Sequence, residues 1–268
     1  MADEKKGILK KAAAFFSGLV IGTLGGLIGL GGAEFRLPVL ISGFRFPALE
    51  AIILNKTMSL IVVASSILFR SAAIPFGEIA GYWMVILNLL AGSLVGAWLG
   101  ASLATKLKTK ALYRTLAILL VVIAVVLLIG HFASTGNAVL IDEGALRVAI
   151  GVLAGVIIGM FASIMGVAGG ELLIPTLILL FAVDIKLAGS LSLVISLPTM
   201  LTGFARYSKD NSFKVIGRNK IFVLVMAGGS IVGAAIGGML LGVVSDYVLL
   251  PVLACILLIS SYKVWTHK

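Results

Sequence analysis

The sequence predicts an all-α integral membrane protein of two inverted-topology repeats, each a glycine-broken, re-entrant helix pair followed by three transmembrane helices. Three observations carry this prediction. The chain is 60% hydrophobic and 12% charged, with a mean hydropathy of +1.19, and a soluble domain would hold about twice that charged fraction. Its apolar runs reach about 20 residues, enough for a helix to cross a bilayer. One ungapped offset, the 137 residues from Gly18 to Gly155, lays the first half of the chain on the second. A β-barrel is excluded, because its strands would alternate over about ten residues and these runs do not.

The offset holds in three separate segments. Gly18, Gly22, Gly29, Gly32, Glu34 and Pro38 meet Gly155, Gly159, Gly166, Gly169, Glu171 and Pro175. Ala51, Ser59 and Leu60 meet Ala188, Ser196 and Leu197, and the run Gly92–Gly100 meets Gly229–Gly237. Internal duplication of this size is a common construction of secondary transporters. The repeats run from 1 to 134 and from 135 to 268 and form one integrated transmembrane domain.

Each repeat opens with a segment too long for one span, Leu9 to Ile41 and Leu146 to Phe181, broken by its glycine motif. Three plainer spans follow, about 49–69, 81–104 and 111–131, then 187–205, 221–244 and 247–265. Gly92, Gly96 and Gly100, like Gly229, Gly233 and Gly237, share one helix face, a spacing that lets helices approach closely. The lysine-rich start resembles a signal peptide, but the apolar run continues to about Ile41 and has a partner inside the chain, so it is expected to be retained.

The basic residues set the orientation. If each opening segment dips in and returns, with the N-terminus inside, the lysines and arginines outside Arg36 and Lys56 split 16 to 3, with only Arg70, Arg147 and Lys186 outside. A single crossing gives 13 to 6. The first arrangement gives each repeat three crossings, so the second repeat is inverted relative to the first. The chain is then a multi-pass protein of the inner membrane with both termini cytoplasmic. The net charge of +10 reflects these loops rather than nucleic-acid binding. A single cysteine, Cys255, and two histidines, His131 and His267, argue against a disulfide and a metal centre. The chain lacks a serine–histidine or paired-aspartate motif in a span, so it is read as a non-enzyme without a cofactor.

The breaks carry the chemistry. Backbone at membrane depth is tolerated where it is buried in protein or lines a wet cavity. Glycine permits the angles of the break, and Pro38 and Pro175 suit the first turn of a new half-helix, whose positive end favours anions. Glu34 and Glu171 sit on the breaks, and a charge in the bilayer interior usually has a partner or a function. They are candidates for proton coupling; the alternative is that they cap freed amides. Arg36 and Lys56 stand only in the first repeat, against Leu173 and Leu193. Arg36 offers a bidentate fork to an oxyanion; a salt bridge with Glu34, or snorkelling, is the alternative. The candidate substrate-binding set is Gly31, Gly32, Ala33, Glu34, Arg36, Asn55, Lys56, Gly169, Gly170, Glu171, Ser192 and Ser196. Arg206 and Tyr207 are read as interface anchors at a helix end.

The paired breaks, Gly29-Leu30-Gly31-Gly32 through Pro38 and Gly166-Val167-Ala168-Gly169-Gly170 through Pro175, resemble the TauE/SafE family of sulfite exporters. The resemblance spans essentially the whole chain, with one alanine standing for glycine in the second motif. It implies transport of a small sulfur-containing anion, sulfite or an organosulfonate, across a prokaryotic inner membrane. The expected partners are that small anionic substrate and the lipid bilayer, with a homo-oligomer left open. An anion channel and a non-transporting membrane scaffold are the rival expectations.

Overall fold

A computed structural model describes residues 2–28, 32–70, 74–133, 144–239 and 246–266. Among the described residues the regular elements are all helices. In chain order the helices are α1 (Ala2–Ile28), α2 (Ala33–Pro38), α3 (Ala48–Arg70), α4 (Phe76–Gly81), α5 (Trp83–Lys106) and α6 (Thr109–Ala133). They continue with α7 (Ala145–Met165), α8 (Gly170–Phe181), α9 (Ile185–Tyr207), α10 (Val215–Arg218), α11 (Lys220–Met239) and α12 (Asp246–Trp265). Six of these, α1, α3, α5, α7, α9 and α11, hold stretches long and apolar enough to cross a membrane. Outward faces stay apolar, with Leu87, Leu153, Leu224 and Ile259 all exposed, as a surface facing lipid must be.

The two breaks fall where the glycines place them. Gly32 and Gly169 occupy the residue before α2 and α8 with φ of 67° and 84°. These are left-handed angles that side chains with a Cβ rarely adopt. The prolines depart from expectation: Pro38 and Pro175 lie inside their helices rather than in the first turn. A proline has no N–H, so each withdraws the helical donor from the carbonyl four residues earlier. Those carbonyls belong to Glu34 and Glu171. After Pro38 the helix widens into a π-turn over Val39–Gly43, consistent with the missing bond.

Helices pair across the offset. α1 lies along α11, α5 along α7, and α6 along α12, while α3 crosses α9. The first two pairs use the same contacts twice. A Cβ on Gly18 would lie 2.2 Å from the Met226 carbonyl oxygen, and one on Gly155 would lie 2.4 Å from that of Leu89. Likewise a Cβ on Gly96 would meet the Val156 oxygen at 2.0 Å, and one on Gly233 the Leu19 oxygen at 2.1 Å. All four partner residues are related by the same 137 positions. Glycine is needed at these crossings because the facing backbone already fills the space a side chain would take.

Cation–aromatic and polar contacts mark the two ends of the bundle. At one end, Lys10 on α1 lies 5.7 Å from the ring of Phe46, just past the π-turn. At the same end, Phe46 meets Phe222 at the start of α11, and Arg218 pairs with Glu50. Arg206 donates to Ser102 at the end of α5, and Arg114 stacks on Trp265. At the other end, Arg147 on α7 lies over Phe181 at the end of α8, and Asn88 on α5 donates to the Val148 carbonyl.

Candidate functional site

The charged candidates collect in the interior of the bundle. Glu34, Arg36, Lys56 and Glu171 are 1%, 0%, 1% and 2% exposed, and Asn55, Ser59, Ser192 and Ser196 are buried beside them. The whole set is therefore sealed from solvent in this conformation. Burying ionised groups costs several kcal/mol each unless partners compensate, so the partners decide what the site can do.

Asn55 on α3 ties the two breaks together. Its Nδ2 donates to the Ala33 carbonyl at 3.0 Å and to the Met165 carbonyl at 3.3 Å. The first oxygen is at the start of α2, the second at the end of α7. Ser59, one turn further along α3, accepts from Arg36 Nη1 at 3.2 Å. Arg36 is thereby held against α3, with Glu34 close enough to interact with it electrostatically.

The second break is bound differently. Ser196 on α9 donates to the Ala168 carbonyl at 2.7 Å, satisfying an oxygen that the break leaves outside any helix. Ser192, the counterpart of Asn55, bonds to the Gly189 carbonyl of its own helix at 2.9 Å instead. It does not reach across to either break. Gly169 and Gly170 shape the backbone there, at the N-terminus of α8. Gly31 lies outside the described residues, as do Gly29 and Leu30.

Glu34 and Glu171 come from opposite halves of the chain and lie close enough to interact electrostatically. None of their four carboxyl oxygens accepts a hydrogen bond. Glu34 lies near its own backbone N–H without forming a bond in good geometry. Neither glutamate therefore caps its helix. Two adjacent carboxylates without donors repel strongly in a dry interior, whereas one proton between them converts the repulsion into a hydrogen bond.

Lys56 reaches into a niche formed by α7 and α9. Its Nζ lies 3.5 Å from Ser163 Oγ. A Cβ on Gly203 would come within 2.9 Å of Nζ, so this glycine makes room for the ammonium. Tyr207 completes the niche: its hydroxyl donates to the Ser163 carbonyl at 2.9 Å.

Tyr207 corrects the sequence reading. It is fully buried rather than anchored at an interface. Arg206 instead clasps α5, through Ser102 at 2.7 Å and over the Trp98 ring. Ser163 and Gly203 were also missed. A lone serine three residues before the second glycine break, where the first repeat has Gly26, was the available signal for Ser163. Nothing in the spacing singles out Gly203 from the packing glycines.

No curated protein and no solved structure matches the chain in searches of each. A family model described as "Sulfite exporter TauE/SafE" matches residues 14–264. That match takes in both breaks, every described member of the buried cluster and all the long helices but the first turns of α1 and the last residue of α12. The chain belongs to the TauE/SafE family, a family of membrane transporters rather than enzymes.

Proposed function

We propose that the protein is a secondary transporter that carries a small sulfur-containing anion, sulfite or a short organosulfonate, across the inner membrane by alternating access. One observation carries this beyond the family: two cationic side chains, Arg36 and Lys56, are held at 0–1% exposure next to the helix breaks. An arginine fork can hold two oxygens of a sulfur oxyanion at once, and Lys56 adds a point charge. The carboxyl pair supplies two negative charges when ionised. With one proton shared between Glu34 and Glu171, the four groups sum to +1, which a monovalent anion neutralises. Proton and anion then load together, and a neutral cargo crosses more easily than a charged one.

The architecture proposed with it is a pair of inverted, re-entrant repeats. It is supported by Phe46 lying against Lys10 and Phe181 lying against Arg147. In each case the chain just beyond the break meets the beginning of the long helix before it. Inverted repeats place their breaks near a shared midplane, and the electrostatic interaction between Glu34 and Glu171 fits that placement. With most basic residues gathered at the end that holds Lys10, both termini are assigned to the cytoplasm.

The test is uptake into proteoliposomes with sulfite, thiosulfate, sulfate, a short organosulfonate and acetate. We expect saturable uptake of a subset of the sulfur anions, counterflow with internal anion, and loss of both in Arg36→Ala. Unsaturable conductance would make the protein a channel. Absence of flux across the panel, from monodisperse protein, would overturn the proposal.

A further inference from the structure

A second basic cluster lies at the surface, apart from the buried one. A pocket of about 290 Å3 opens between the start of α1 and the junction of α10 with α11. Lys10, Lys11, Arg218 and Lys220 line it, together with Asn219, Ile221 and Phe222. Glu50 pairs with Arg218, but Lys10, Lys11 and Lys220 form no ion pair among the described residues. Lys10 leans on the Phe46 ring. Three ammonium groups around one concavity repel one another, and an anion seated among them reverses the sign of that interaction.

The surroundings say what kind of anion. The pocket lies at the end of the close-packed α1–α11 pair, where polar loop meets apolar helix. Ile221 and Leu224 on α11 are exposed at and below it, and Phe16 and Val20 are exposed on α1 further into the bundle than Lys10 and Lys11. Ile221 belongs to the pocket wall, and Leu224 follows it by one helical turn. A ligand with an anionic head and an apolar tail would satisfy both parts, whereas a free ion would leave the apolar track uncovered. Basic pockets between transmembrane helices are a recognised form of anionic lipid site.

We infer that this pocket holds the phosphodiester headgroup of an anionic phospholipid, whose acyl chains run along the outer face of α1 and α11. The lipid bridges α1 to α10 and α11, joining the first helix of the chain to one contributed by its second half. It is independent of the anion that the interior cluster is proposed to carry.

The experiment uses the full chain, delipidated in a neutral detergent. Phosphatidylglycerol or phosphatidylcholine is added back, with retained lipid counted by native mass spectrometry and the melting temperature followed in parallel. We expect phosphatidylglycerol to be retained and to raise the melting temperature, and phosphatidylcholine to do neither. In Lys10→Gln/Lys11→Gln/Lys220→Gln, affinity for phosphatidylglycerol should fall roughly fivefold per lysine, about 100-fold in all. Lys106→Gln/Lys108→Gln/Lys110→Gln removes as much charge elsewhere on the chain and should retain the lipid. An equal loss in both triple variants would show general surface attraction and overturn the site. Stabilisation by inorganic phosphate or glycerol phosphate alone would assign it to a soluble ligand and overturn the lipid. If the first variant fails to fold, Lys220→Glu alone, read by retained lipid, decides the question in the same way.

Discussion

The two breaks share a backbone and differ in charge. Gly32 and Gly169 take the same left-handed turn, Glu34 and Glu171 follow two residues later, and Pro38 and Pro175 sit six residues on. Yet Arg36 faces Leu173 across the offset, Lys56 faces Leu193, and Asn55 faces Ser192. Asn55 spans both breaks while Ser192 bonds within its own helix. Duplication kept the scaffold in both halves, where both need it. Among the described residues, buried cationic side chains stand in one half alone, and under the proposed function a single substrate would need them only once.

The largest expected effect tests the symmetric part. Gly96→Leu and its counterpart Gly233→Leu each drive a side chain into a facing backbone carbonyl. Both should abolish recovery of monodisperse protein, and the alanine variants should each cost about 1–3 kcal/mol. Folding that survives one leucine and not the other would break the equivalence of the two helix pairs.

The asymmetric part comes next. Arg36→Leu makes the first break resemble the second and should lower uptake by about 10- to 100-fold, the worth of a charged hydrogen bond. Leu173→Met at the matching position, a swap that keeps the buried volume, should leave uptake within about threefold. Similar losses from both would show that the charge is not what distinguishes the halves.

The glutamates sharpen the comparison, since they are the buried charged feature common to both repeats. Glu34→Gln and Glu171→Gln should each remove the dependence of uptake on a pH gradient, because either substitution ends the shared proton. Unchanged gradient dependence in both single variants and in the double would remove proton coupling through this pair. Smallest of all, Arg218→Ala breaks an exposed ion pair with Glu50. It should change stability by less than about 1 kcal/mol, measured by thermal melting.

The comparison also explains what could be read in advance. Both breaks, their glutamates and the helix-packing glycines were legible because duplication wrote each of them twice. Residues written once were harder. Tyr207 follows an arginine at a helix end, where an interface anchor is the ordinary expectation, and its counterpart Arg70 offers no hint of burial. Its true position depends on α9 crossing α3 and α7, which no local pattern encodes. The prolines were misplaced for a related reason. A proline shortly after a break suits a helix start, but the turn begins at the glycine, five residues before Pro38 would require.

The exchanged pairing of helices has a consequence for synthesis. The surface of α1 that carries Gly18 and Gly22 fits against α11, whose residues leave the ribosome some 200 positions later. The matching surface of α5 waits for α7, a much shorter delay. During translation the nascent chain thus holds its first helix in the membrane with a backbone-lined groove unfilled. That groove is what a chaperone or insertase would need to shield, and premature termination before α11 would leave a product whose opening helix has no mate.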